Sequence, residues 1–211
     1  MQFSNTPHTL FVIILISASS FWNQSLKAEE LSFESGRWKQ LDFVNRNTIN
    51  NMGNLVEIKS ENSASAYYYE FPEPLRNPFL LSWDWQVNKR FPPGDPGEKS
   101  NDDYVARVYI VFQQGFFKWQ VNSVNYVWMS EPPLQANWLS PYDDRSVIVP
   151  LVNDTDINTW TSEQVNPFRD FTRLFDEPGK KVVGIAIMSD TDDTARSVMS
   201  AFRNVSIEKL N

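Results

Sequence analysis

Residues Leu80 to Phe112 read LLSWDWQVNKRFPPGDPGEKSNDDYVARVYIVF, and this stretch decides the fold class. Leu81, Trp83, Trp85 and Val87 alternate with polar residues, and Ala106, Val108 and Ile110 alternate with Arg107 and Tyr109 on the way to Phe112. A period of two marks strands with one buried and one wet face. The Pro- and Gly-rich loop between the runs makes a continuous helix untenable. The spacing predicts two neighbouring strands in the middle of a sheet. Their outward face would carry Asp84 and Gln86 on the first strand and Asp103, Arg107 and Tyr109 on the second. A cation in mid-strand calls for a carboxylate partner or a hydroxylated or anionic ligand.

Working outward, short strand patterns recur along the whole chain. They are expected near Leu31–Phe43, Leu55–Lys59, Ala66–Phe71, Asn125–Trp128, Ser146–Val152, Lys181–Asp190 and Phe202–Leu210. Asn45–Asn54 and Asn153–Glu163 read as turns, and Gln113–Ser123 as a hairpin or a flap. Pro150 points to an edge position or a bulge for its strand. One helix is expected over Asn166–Phe175, where Phe168, Phe171 and Phe175 recur at helical spacing and Arg169 and Asp170 face away. In Lys181–Asp190 the small face of Gly184, Ala186 and Met188 would leave room for a groove that ends at Asp190. With 211 residues, 8 Trp, 13 Pro and no internal repeat, the economical architecture is all-β: a single β-sandwich or jelly roll with one or two short helices.

Composition excludes several functions. A formal charge of −7 without a basic run argues against duplex nucleic acid or an anionic membrane as partner. There is no Cys, and the one His is His8, so disulfides, thiolate sites, Ser–His and Cys–His catalysis and the common zinc sites drop out of the expected mature chain. Leu10–Ala18 is an apolar block of signal-peptide length, although no Lys or Arg precedes it. It supports a leader over residues 1–28, a domain over 29–211, export to the periplasm or beyond, and no stable membrane span once the leader is removed. A buried N-terminal strand or a short anchor is the alternative.

Carboxylates and rings supply the candidate chemistry. Asp190, Asp192 and Asp193 offer oxygens to calcium, but the EF-hand pattern fails at Ala195 and Ala201. Capping of a short helix from Ala195 by Asp193 or Thr194 competes with the metal. Tyr126 and Trp128 share parity and line either a groove or the core. Arg145 and Arg169 are cations beside aromatics. No serine-hydrolase elbow, phosphate-binding Gly loop or dinucleotide fingerprint is present.

Taken in order, SASAYYYEF (Ser63–Phe71), LSWDWQV (Leu81–Val87), DDYVARVYIVF (Asp102–Phe112), NYVW (Asn125–Trp128), PYDDR (Pro141–Arg145), RDF (Arg169–Phe171) and MSDTDDT (Met188–Thr194) resemble a family of secreted bacterial proteins known as domain of unknown function 3047. The resemblance runs from about Leu55 to the last strand. It implies an exported protein with a jelly-roll sandwich like those of carbohydrate-binding modules. The pattern departs at Asp84, where the family is expected to carry Arg. Its matching positions imply a polar groove or its support at Arg107, Tyr126, Arg145, Arg169, Asp170, Asp190 and Asp192. Asp103 and Trp128 complete the candidate set.

Three functions follow as expectations. The first is non-catalytic binding of an extracytoplasmic glycan or small polar ligand, by rings that stack on sugars and by Arg and Asp that hold hydroxyls. The second is a glycan hydrolase or lyase using paired carboxylates or a Tyr/Arg pair. The third is a structural protein of the cell envelope. No cofactor other than calcium is suggested.

Overall fold

The structure, a computed structural model, describes residues 28–91, 95 and 97–210. The expected leader lies outside these residues, apart from Ala28. In chain order the strands are β1 (Glu29–Glu30), β2 (Trp38–Val44), β3 (Thr48–Asn51), β4 (Leu55–Glu61), β5 (Ala64–Leu75), β6 (Phe79–Val87), β7 (Arg107–Gln113) and β8 (Val121–Met129). Then follow β9 (Trp138–Leu139), β10 (Ser146–Val152), β11 (Thr161–Val165), helix α1 (Pro167–Phe175), β12 (Val182–Asp190) and β13 (Ser197–Lys209). Two short 3-10 turns, at Phe33–Ser35 and Lys99–Asn101, complete the elements.

The strands form two sheets. One runs β11-β6-β13-β4-β3, with β1 added alongside β13; the other runs β2-β5-β12-β7-β8-β10-β9. All pairings are antiparallel except β8 with β10. The inner faces enclose one core that draws on both sheets, with Leu81, Trp83, Trp85 and Phe202 from the first and Val108, Ile110, Phe112, Tyr126 and Ile187 from the second. The chain is an all-β sandwich, as its alternation predicts. Among the described residues no helix is long and apolar enough to cross a membrane.

Strand pairing differs from expectation. β6 and β7 are not sheet neighbours; they lie in opposite sheets, and the loop between them crosses from one sheet to the other. Their apolar faces meet across the core instead. Alternation identifies the buried side of a strand, whereas register and partner are set by the remaining strands. β9 pairs with β10 only at Val147 and Ile148, so Pro150 keeps the edge position expected of it. That short contact ends before Pro150, whose missing N–H therefore removes no bond to β9. One short strand, β3, sits inside a segment that reads as a turn, and another, β11, begins in one and pairs with β6.

The core is aromatic. Trp83 and Trp85 meet edge to face at 5.4 Å, and Trp83 lies 5.9 Å from Tyr126. Helix α1 starts where expected: the Asn166 side chain accepts from Arg169 N at 3.0 Å, and Pro167 opens the first turn. Its stripe places Phe168 edge-on to Phe79 and Phe112, and Phe171 4.3 Å from Phe112. Helix α1 thus seals one margin of the core. The expected helix after Asp190 is absent. Asp192–Ala195 is a tight turn with Ala195 at φ 51°, and it leads straight into β13.

The outer face of the second sheet does not form the expected hollow. A Cβ on Gly184 would lie 2.3 Å from the Tyr68 ring, so that ring fills the space the glycine leaves. Ala186 and Met188 are covered in the same way, packed with Ala64, Ala66, Tyr68 and Tyr109. Small residues make room in a sheet, but neighbouring strands decide what occupies it.

Candidate functional site

The nominated residues divide among three places. The first is a buried ionic knot where β7 begins. Arg107 is only 2% exposed. Its Nη2 lies 2.8 Å from Asp190 Oδ2 and 3.2 Å from Asp102 Oδ2, and it also donates to the Asp102 carbonyl. Nη1 donates to the Tyr109 hydroxyl at 2.7 Å, and the guanidinium lies 4.3 Å from the centre of the Tyr104 ring. The expected wet face of β7 is therefore dry at Arg107, where the loop before it folds back over the strand, and half-buried at Tyr109. Burial pushes Asp190 and Asp102 above the ordinary carboxylate range, against the pull of Arg107. Arg107 pays the same desolvation penalty but is held well above its usual value by Asp190, Tyr109 and Asp102, so it stays charged.

Asp103 is not on a strand. It accepts from the backbone N–H of Asp193 at 3.2 Å and of Thr194 at 2.8 Å, and from the Thr194 hydroxyl. It thereby caps the β12–β13 turn, the role that sequence assigns to Asp193 or Thr194 within a helix. Carboxylate oxygens of Asp103, Asp190 and Asp192 lie within 4.8 Å of one another. Burial, with Asp193 and Asp103 close by, raises Asp192 as well. Calcium needs about six to eight oxygen ligands. Here Asp190 Oδ1 already accepts from Tyr104 N at 2.8 Å, and Oδ2 holds the guanidinium. Asp193, the remaining calcium candidate, is turned to the Tyr142 hydroxyl. Millimolar calcium or EDTA is expected to leave the melting midpoint unchanged. A calcium-dependent rise would show that a cation competes successfully with Arg107 for these oxygens.

The second place lies between core and helix. Tyr126 is 1% exposed and donates its hydroxyl to Asp170 Oδ2 at 2.8 Å. Burial, then the neighbouring Asp170 charge, keeps the phenol protonated well beyond its ordinary range. Asp170 does not face away from the helix stripe; it is buried, with Arg169 and Arg173 3.6 and 3.8 Å away on the exposed side. Trp128 packs in the main core. Tyr126, Trp128 and Asp170 therefore belong to the interior, and Arg169 stands over them in solvent.

The third place holds Arg145, which lines an open cleft. This cleft, about 450 Å³, is bordered by Gln114, Trp119, Gln120, Asn122, Arg145 and Lys180, with Gly115 and Val121 beneath. Its rim is the β7–β8 hairpin tip. Gln114 N donates to Gln120 O at 3.0 Å, Gln120 N to Phe117 O at 3.1 Å, and Phe117 N to Gln120 Oε1 at 3.0 Å. A Cβ on Gly115 would collide with the Gln120 side chain at 2.1 Å, so only glycine lets Gln120 lie across the turn. The Gln114 side chain ties the tip to the α1–β12 loop, accepting from Lys180 N at 2.8 Å and donating to Pro178 O at 3.2 Å. Arg145 Nη1 reaches the Trp119 carbonyl at 3.4 Å.

On this braced tip the rings of Phe116, Phe117 and Trp119 are 91%, 54% and 67% exposed. Phe117 and Trp119 lie parallel within 6°, their centres 5.6 Å apart. Flat exposed rings on a hydrogen-bonded support suit stacking against a flat apolar surface that carries polar edges. The sequence shows a dense aromatic patch here, but its pattern does not reveal exposure. Gln114, Gln120 and Asn122 belong to the hairpin tip and Lys180 to the loop after α1, and none of them carries a local signal.

Residues 36–206 match the family described as protein of unknown function (DUF3047). The chain is a member of that family. The match begins ahead of the Leu55 limit drawn from the sequence blocks and ends within β13. No curated protein matches the chain. Among solved structures it is similar to the xyloglucanase domain of NopAA, a type three effector from Sinorhizobium fredii, in complex with cellobiose. That likeness has 13% identity, 86% of this chain and 98% of that one covered, and a TM-score of 0.49. It is also similar to a cellulase derived from Cel12A of Rhodothermus marinus, at 11% identity, 87% and 100% coverage and a TM-score of 0.46. A third is the family 11 carbohydrate-binding module from Clostridium thermocellum in complex with a mixed-linked tetrasaccharide, at 12% identity, 82% and 89% coverage and a TM-score of 0.42.

Proposed function

We propose that this protein is an exported, non-catalytic β-sandwich that binds an extracytoplasmic glycan in the cleft beside the β7–β8 hairpin tip. The observation that carries the reading is the parallel, exposed Phe117–Trp119 pair on a tip braced by backbone and Gln114 hydrogen bonds, next to a cleft lined by amides. A sugar ring offers an apolar face to such rings and hydroxyls to Gln120 and Asn122. A cleft of this size accommodates a few sugar units. Export rests on the apolar block at Leu10–Ala18.

Binding is favoured over turnover because Asp103 and Asp190, the carboxylates first in line for catalysis, are buried and already engaged by the protein. The side chains of Asp102 and Asp190 are each 6% exposed and both hold Arg107. A general acid or nucleophile has to reach its substrate. Trp119→Ala is expected to weaken binding of the recognised glycan by roughly ten- to thirty-fold, which corresponds to about 1–2 kcal/mol. The melting midpoint should hold, because Trp119 is largely exposed. Calorimetric titration against a panel of soluble oligosaccharides provides the check. Release of reducing ends would replace binding by catalysis, and absence of saturable binding across the panel would remove the reading.

A further inference from the structure

We infer that the cleft selects an acidic sugar, a pyranose bearing a carboxylate or sulfate, over its neutral counterpart; this rests on the glycan reading above and names its ligand class. The cleft lining contains two cations, Arg145 and Lys180, three amide side chains and no carboxylate. Neither cation is fully used by the protein. Arg145 pairs with Asp143 through Nε at 3.2 Å and reaches the Trp119 carbonyl through Nη1, and its Nη2 has no partner among the described residues. Lys180 donates from Nζ to the Gln114 carbonyl, and an ammonium carries three protons, so further donors remain. Lys180 takes part in no ion pair among the described residues, in contrast to Arg107, whose charge is spent on Asp102 and Asp190.

The position of the cations matters as much as their number. Arg145 is hydrogen-bonded to the backbone of Trp119, which ties its guanidinium to the residue on whose ring the sugar would stack. Stacking sets the plane of the pyranose, and the cations then read the substituent at its edge by charge-assisted hydrogen bonds. The protein as a whole carries a formal charge of −7. Long-range attraction to a polyanion is therefore absent, and recognition depends on short-range contact. Short acidic oligosaccharides should accordingly bind at least as well, per site, as the polymer.

The test is calorimetric titration of the purified protein with trigalacturonate, its methyl ester, a sulfated galactan trisaccharide and cellotriose. The acid should bind about tenfold or more tightly than its ester, which has the same shape without the charge. Arg145→Gln combined with Lys180→Gln should erase that preference while leaving the weaker binding of the ester. Trp119→Ala should lose both. Circular dichroism melting confirms that the variants fold, as expected for two exposed side chains. A sulfated ligand preferred over the uronate keeps the acidic-sugar assignment and makes sulfate the anion. Equal binding of acid and ester, or a preference that survives the double substitution, overturns the inference while the glycan reading stands. Binding of none of the four ligands, with Trp119-dependent uptake onto phosphatidylglycerol vesicles instead, overturns both.

Discussion

Replacing Arg107 by methionine is expected to destabilise the protein by about 3–5 kcal/mol at neutral pH. Methionine fills much of the same volume but leaves Asp102 and Asp190 buried without a cation. The loss should depend on pH, and the sign follows from linkage. Burial already raises both carboxyls above their ordinary value of about 4. Without Arg107 nothing opposes that rise, so the folded variant holds protons that the unfolded chain releases. Where the folded state binds more protons, stability falls as pH rises. The difference between wild type and Arg107→Met should therefore be largest at pH 8 and shrink towards pH 5. Urea unfolding across that range measures it. A cost that is the same at every pH would mean that the defect is packing rather than uncompensated charge. Asp190→Asn is the informative companion, because it removes one carboxylate, keeps the shape and leaves Asp102 to Arg107.

Phe171→Ala is expected to cost about 3–5 kcal/mol at all pH values. Phe171 is fully buried, with Phe112 at 4.3 Å on one side and Phe175 at 4.4 Å on the other. Removing the ring opens a void between helix and sandwich that the stiff strand β7 cannot close. It also loosens the helix turn that holds Asp170 against the Tyr126 hydroxyl. For a domain of this size the melting midpoint should drop by about 10 °C. A loss below about 1 kcal/mol would show that α1 is an appendage and not part of the core seal.

The two substitutions separate the two ways this sandwich is held. The ionic knot links the entry to β7 with the end of β12, segments 83 residues apart between Arg107 and Asp190. The aromatic ladder from Phe79 through Phe168 and Phe112 to Phe171 closes the opposite end of β7. One depends on pH and the other does not. The cleft borders the ladder: Gly179, beside the lining residue Lys180, packs so closely on Phe112 and Phe171 that a Cβ there would lie 2.6 Å from Phe112.

Much of the fold was legible from period and punctuation. Alternation located the buried faces of β6, β7 and β12, and the Phe spacing with Asn166 and Pro167 located α1. The sequence blocks also carried the family. Strand partnership was not legible, because alternation is identical for a hairpin and for two strands that face each other across a core. The polar residues were hardest to place. Arg107, Tyr126, Arg145, Arg169, Asp170 and Asp190 look alike in sequence, as polar groups beside rings. Arg107 and Asp190 form the knot, Tyr126 and Asp170 lie within the interior, Arg169 stands in solvent and Arg145 borders the cleft.

The sequence by itself determined the all-β class, the aromatic core, the position of helix α1 and the absence of thiol and imidazole chemistry from residues 29–211, because these depend on residue type and local period. Only the tertiary structure decided which charges are spent inside and which remain for a ligand. That depends on how a loop folds back over β7 and on how distant segments meet at a hairpin tip, distances that no local pattern records.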